Sequence, residues 1–300
     1  MNKLLDAFNG GTVEQQTRRK KGLMIIAATS ALLILATLIL LIGTIVALIT
    51  GNTSANNEWS EDPTDYIPGS FDSAYLYEGN LLLLDDNHPY RGSASVVYFA
   101  NHASRPKNDL GKEIYTLCDQ TTFCGTAETV TAFHKMVGDF YEQSDNDDDL
   151  IVDRAYIKNV AQADTRFNTG TVIALTYYAD FQTDRDPTNE PSIEENPDYT
   201  WIFNHAHEYG FINVEGNIFR YVGVPHATYM KTKNLSLSAY LEKLCEDTSY
   251  KKSMAISAGG ADYRVYYVAA DADVYVPDHG NYELSGTNLG GYIVTVHVTD

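Results

Sequence analysis

Positive charge is scarce in this chain of 300 residues: Lys and Arg number 21 against 40 Asp and Glu, for a formal net charge of −19. All but two of the carboxylates, Asp6 and Glu14, lie beyond residue 50. Such an excess repels phosphate backbones, which excludes non-specific binding to nucleic acid. Cysteine is scarcer still, with Cys118, Cys124 and Cys245 alone. A local bridge between Cys118 and Cys124, across Asp-Gln-Thr-Thr-Phe, is permitted in an oxidising compartment. Cys245 then stands single in a helical run and reads as a buried apolar residue. No cysteine sits in a sequence context that points to an activated nucleophile. Close histidine pairs are reduced to one, His205-x-His207. On a helix two such residues diverge by roughly 200°, whereas helical zinc pairs are spaced by four, so a structural role is expected for both. The acidic run at 145–149 lacks the glycine and the terminal glutamate of a calcium loop, since Leu150 and Tyr156 hold those positions. No internal repeat is present.

Charge of either sign is absent from residues 22–50, which run apolar from Gly22 to Thr50. A bilayer core of about 30 Å needs about 20 such residues, and a cleaved leader has a shorter apolar core. With Lys3, Arg18, Arg19, Lys20 and Lys21 ahead of it, the run predicts a transmembrane helix with a cytoplasmic tail at 1–21. A single-pass protein of the cell membrane, its C-terminal domain extracellular, is the expected location. Residues 51–72 are polar and rich in Gly, Ser, Asn, Asp and Pro, which predicts a linker.

The remainder mixes helices and strands without a repeating order, which predicts an α+β domain. Short apolar runs at 81–84 and 95–99 read as strands. Residues 126–143 carry helical spacing, with Val130, Phe133, Met136, Val137 and Phe140 on one face. Residues 171–178 read as a strand, and 201–209 as a helix closed by Gly210. A strand at 219–224 is followed by a helix at 236–245 with Ser236 as its N-cap. Beyond residue 255 the pattern is all strand: 263–269, 274–276 and 292–298. Residues 180–199 hold seven carboxylates and three prolines and read as a long surface loop.

Several segments carry a family resemblance. WIFNHAHEYGF, FRYVGVPHATYM and NLSLSAYLEKL, with LYEGNLLLLDDNHPY earlier and VYYVAADADVYVP…YELSGTNLGGYIVTV later, resemble the VanY-type D-alanyl-D-alanine carboxypeptidases. These are zinc enzymes that trim bacterial wall peptides. The resemblance implies a carboxypeptidase-like domain at 73–249 with a C-terminal β-rich extension at 250–300.

The family's metal motifs are where the chain departs from it. Against Ser-x-His-x-Thr-Gly-x-Ala-x-Asp, anchored on Thr169-Gly170, Phe167 stands in place of the His ligand and Ala174 in place of the Asp. Against Glu-x-Trp-His before Phe-Arg-Tyr-Val-Gly, Glu215 keeps the catalytic glutamate's position while Ile218 replaces the last His. The Tyr-Arg-Ser motif, whose Arg grips the substrate carboxylate, aligns with Tyr156-Ile157-Lys158; Lys158 or Arg154 would have to substitute. Zinc needs imidazole, thiolate or carboxylate donors, and the three replacements offer none. No metal and no cofactor are therefore expected. The resemblance then implies a pseudoenzyme, binding a peptidoglycan stem peptide or scaffolding another cell-surface protein. Its ligand cleft would draw on Tyr156, Lys158, Asn168, Asn217 and Arg220. The alternative is an active D-alanyl-D-alanine metallocarboxypeptidase holding zinc through relocated ligands, from among His205, His207, His226 and Glu215.

Overall fold

The computed structural model describes residues 66–144, 150–177, 193–279 and 281–298. In chain order the strands and helices are β1 (Tyr66–Gly69), β2 (Val97–Tyr98), β3 (Thr116–Leu117), β4 (Phe123–Gly125), α1 (Ala127–Gln143), β5 (Leu150–Arg154), β6 (Tyr156–Ile157) and β7 (Val172–Tyr177). Then come α2 (Thr200–His205), β8 (Phe211–Glu215), β9 (Ile218–Tyr221), α3 (Val224–Lys233), α4 (Leu237–Asp247), β10 (Met254–Ala258), β11 (Ala261–Ala269), β12 (Val274–Pro277), β13 (Tyr282–Gly286) and β14 (Gly291–Val298).

The expected architecture needs a correction. The described residues form a mixed α/β domain, and among them no helix is long and apolar enough to cross a membrane. The expected transmembrane run, 22–50, lies outside the described residues, as do the tail at 1–21 and the acidic run at 145–149. The single-pass architecture and the membrane location that rested on it are set aside.

A five-stranded sheet, in the order β3-β5-β7-β9-β8, forms the centre. Only β3 and β5 run parallel; the other neighbours are antiparallel. Helix α1 begins where Thr126 caps it, the side chain accepting from the Thr129 N–H. Its apolar face, with Val130, Phe133, Met136, Val137 and Phe140 all buried, packs in one core with Ile173 and Leu175 of β7 and Phe219 of β9. Because strand side chains alternate in direction, the intervening Val172 and Ala174 of β7 must face away from that core. That second face carries the site.

A second sheet, β10-β11-β14-β13, is antiparallel throughout. Its core includes Tyr229 and Met230 of α3, Tyr240, Leu241 and Leu244 of α4, and Ile293 of β14. Within this layer the ring of His226 is buried between two hydroxyls, 2.9 Å from Tyr240 Oη and 3.0 Å from Thr295 Oγ1. His134 of α1 is buried likewise, 2.6 Å from Tyr115 Oη and 2.9 Å from Ser104 Oγ. Two smaller sheets complete the topology: β2-β4-β6, and the pair β1-β12. Strand β1 falls within the stretch that composition reads as linker; it pairs antiparallel with β12, from Tyr66 opposite Pro277 to Gly69 opposite Val274.

Several local expectations meet their physical limits here. Residues 81–84 form no strand, yet Leu81, Leu82 and Leu84 are buried; their apolar run serves packing rather than a ladder. The acidic loop expected at 180–199 holds a buried Ile193 and a buried Tyr199 at its described end. Cys118 and Cys124 form no disulfide.

Candidate functional site

A 3-10 turn at Thr165–Thr169 leads into β7. Asp164 caps the turn by accepting from the Arg166 N–H, and Gly170, at φ +70°, reverses the chain into the strand. This places Phe167 against the second face of the central sheet. There β7 and β9 lie side by side with Ala174 opposite Ile218 and Val172 opposite Arg220. Phe167, Val172, Ala174 and Ile218 form one buried cluster, between 1% and 8% exposed. The three positions where the resemblance implies metal ligands are thus brought together, and carbon fills the space between them.

Glu215 stands beside this cluster, paired with Ile218 across the β8–β9 hairpin. Its carboxylate accepts from the Arg166 guanidinium at 3.2 and 3.3 Å. Asp164 holds the same guanidinium from another side, accepting from Nε at 2.9 Å and Nη2 at 2.8 Å. The bond from Arg166 keeps the Asp164 carboxyl below the usual carboxylate range, and Asp164 in turn raises Arg166. A fork of guanidinium donors between two carboxylates is a strong, oriented arrangement. Arg154 closes another side, its Cζ 5.0 Å from the centre of the Phe167 ring, a cation–π geometry. Arg220 is buried: its Nη2 donates to the Asn80 carbonyl at 3.0 Å, and its Nε lacks a partner among the described residues. Burial first, and then the charge of Arg166, lowers its pKa to about 10. The Arg166 bridge is visible in sequence only as the capping spacing Asp164-x-Arg166, which carries no hint of its reach to Glu215.

The outer pair is exposed, with the Glu215 side chain at 69%. Glu215→Gln is therefore expected to cost less than about 1 kcal/mol, as read from urea midpoints at neutral pH.

Tyr156 and Asn168 line a groove of about 310 Å³ next to this cluster. Its other lining residues are Tyr90, Gly92, Ser93 and Ala94 from the segment before β2, and Asn159, Val160 and Ala161 from the turn after β6. Burial raises the Tyr90 hydroxyl to about 12, so it remains protonated. Asn168 Oδ1 accepts from the Gln162 N–H at 3.2 Å, and Gln162 Nε2 donates to the Ala155 carbonyl at 3.2 Å, which fixes the turn against β6. Lys158 is exposed on that turn and does not line the groove. Asn217 lies in the β8–β9 turn, where its carbonyl accepts from the Leu175 N–H at 3.0 Å. The sequence pointed to Tyr156 and Asn168 but not to the 90–94 wall, whose polar composition reads only as loop.

A zinc ion does not fit the residues present. Phe167, Ala174 and Ile218 supply no donor atom, and among the described residues no group of three or more His, Cys, Asp and Glu is placed to hold a metal. The histidines of the alternative reading are engaged elsewhere. The His205 ring stacks on Trp201 at 4.6 Å and its Nδ1 lies 2.9 Å from Glu208, while His226 is locked between Tyr240 and Thr295. His207 is half-buried, lining a separate cavity of about 170 Å³ with Phe203, Phe211 and Met230. Its pKa is lowered by burial.

No protein-family profile matches the chain. A curated relative, a D-alanyl-D-alanine carboxypeptidase of Enterococcus faecium, is 28% identical over 240 residues, covering 74% of this chain and 76% of the relative. Among solved structures, the vancomycin-resistance D,D-dipeptidase VanXYg, in complex with a D-Ala-D-Ala phosphinate analogue, aligns over 78% of this chain and 99% of its own. The TM-score is 0.59 at 20% identity, so the two share a fold. The resemblance to D-alanyl-D-alanine carboxypeptidases read from the sequence therefore holds.

Proposed function

We propose that this chain, built on the D,D-peptidase fold, is an inactive relative of those enzymes that binds a peptidoglycan stem peptide without cutting it. The observation that carries the reading is the buried cluster of Phe167, Val172, Ala174 and Ile218, three of them at the positions where the resemblance implies metal ligands. A metal hydrolase needs a polarising ion and an activated water, and four packed hydrocarbon side chains leave neither a donor nor a polar space. Glu215 keeps the place of the family's catalytic base, but its carboxylate is committed to Arg166. The groove beside the cluster, lined by Tyr156 and Asn168, remains for a ligand to occupy.

Two measurements on the full chain test this. Purified in the presence of zinc, it is expected to carry far less than one zinc per chain by elemental analysis. It is expected to release no D-alanine from a peptide ending in D-Ala-D-Ala above the enzyme-free background. One zinc per chain, together with release that a chelator abolishes, would overturn the reading in favour of an active metallocarboxypeptidase.

A further inference from the structure

The groove has two properties that together define its occupant. None of its lining side chains is ionised: they are tyrosine, serine, asparagine, alanine and valine, with Gly92. Of the cations nearest in sequence, Lys158 is exposed on the turn after β6 and does not line the groove, and the arginines are turned to other work. Arg91 sits over the Tyr77 ring at 5.6 Å, Arg154 over Phe167, and Arg166 between Asp164 and Glu215. A carboxylate entering here would shed water without gaining a counter-charge, which costs more than a neutral amide loses.

The second property is an unpaired main chain. Among the described residues strand β2 is the edge of its sheet, and its only strand neighbour there, β4, ends at Gly125 opposite Val97. Upstream, residues 92–96 make no backbone hydrogen bond to any described residue. Ser93 and Ser95 are exposed, while Gly92, Ala94 and Val96 are partly covered. That alternation is the period of an extended strand. Gly92 is required there, since a Cβ would stand 2.4 Å from the Tyr77 carbonyl oxygen. An extended, unpaired edge beside a groove is the geometry in which a peptide adds as a further strand.

We propose that the groove takes an uncharged, extended peptide stretch, hydrogen-bonded to the main chain of residues 92–96, and that it discriminates against a free C-terminal carboxylate. This rests on the stem-peptide reading above and narrows its ligand. The form selected is a stem peptide whose terminal D-alanine is joined in an amide, as at a cross-link, rather than the free acid that a carboxypeptidase grips and shortens.

The test uses the full chain and two probes, diacetyl-L-lysyl-D-alanyl-D-alanine as the free acid and as its C-terminal amide, titrated by calorimetry. The amide is expected to bind roughly tenfold more tightly than the acid. The Ala161→Lys variant, which adds a cation on an exposed lining residue, is expected to raise acid affinity by roughly tenfold while moving the amide by less than about twofold. Amide-probe binding is also expected to shift the backbone 15N–1H resonances of residues 92–96. Equal or tighter binding of the acid by the unmodified chain overturns the discrimination and leaves the stem-peptide reading standing. Tight amide binding with residues 92–96 unperturbed overturns the strand pairing. Failure of both probes to bind at millimolar concentration overturns the stem-peptide reading and this inference with it.

Discussion

The triple variant Phe167→His, Ala174→Asp and Ile218→His is expected to take up one zinc ion per chain and to depend on that zinc for its stability. The expectation follows from packing. Phe167 meets Ala174 and Ile218 in one buried cluster, and Ala174 and Ile218 are cross-strand partners on adjacent strands. Three donors at these positions would face one shared buried space. Without metal, a carboxyl and two imidazoles buried among carbon should cost several kcal/mol, because none has a hydrogen-bond partner waiting. With zinc, binding to the folded chain alone contributes about 4 kcal/mol at a thousandfold excess over Kd. Thermal unfolding with zinc and with chelator measures the difference, and the unmodified chain should respond to neither. A folded triple variant with no zinc uptake and no zinc-dependent shift in Tm would show that the three side chains do not share one metal-sized site. Restored hydrolysis is a separate demand, since Arg166 still holds Glu215.

Acid is expected to destabilise the domain well before its carboxylates titrate. Burial holds His226 and His134 neutral down to a pKa of about 3; at His134 the charges of His102 and Arg105 add to burial. In the unfolded chain both rings titrate near pH 6.5. The folded pKa values are depressed, so the stability these rings contribute is fully present above about pH 6.5. It is lost as pH falls toward about 3, because the unfolded chain binds protons that the folded chain refuses. Two such groups give a limiting slope of about 2.7 kcal/mol per pH unit below the unfolded pKa, or about 3 kcal/mol lost between pH 6.5 and pH 5. That is a large share of the 5–15 kcal/mol typical of a domain. Asp85, Asp119, Asp164 and Asp247 are held below their ordinary range by hydrogen bonds and ion pairs. Their losses begin lower, which leaves the interval from pH 6.5 to pH 5 to the imidazoles. Urea midpoints at pH 7, 6 and 5 test this. His134→Gln should roughly halve the slope, and a flat profile across that interval would sink the explanation.

The parts of this fold that were legible in the sequence are those where one local rule decides. Thr126 and Ser236 cap α1 and α4, each accepting from an N–H three residues on. The 3.6 period of α1 names its buried face, and Gly210 at φ +86° closes the helical run that begins at Thr200. Helix α3 was missed because it is weakly amphipathic, starts at Val224-Pro225, and buries His226 and Tyr229 alongside Ala227 and Met230. Pro225 stands in the first turn, a position that suits proline, but no strong apolar period follows it to mark the helix. Strand β5, in the interior of the central sheet, follows the acidic run 145–149 directly, and its short apolar stretch, Leu150 to Val152, has too little length to display a period. The candidate site divides in the same way. Phe167, Ala174 and Ile218, singled out by motif spacing, meet in one buried cluster. The Arg166 bridge and the 92–96 edge depend on residues far apart in sequence, which no local pattern records.

The pairing of β1 with β12 has a bearing on how the chain can be shortened. Among the described residues strand β12 has no other partner in its sheet, so a version that begins after Gly69 would leave the main chain of Val274–Pro277 bare along that side. A bared edge is a template for a second copy, and Val274 and Val276 are buried residues of the adjoining core. Shortened versions intended to stay monomeric must therefore retain Tyr66–Gly69, although composition alone would mark those four residues as dispensable.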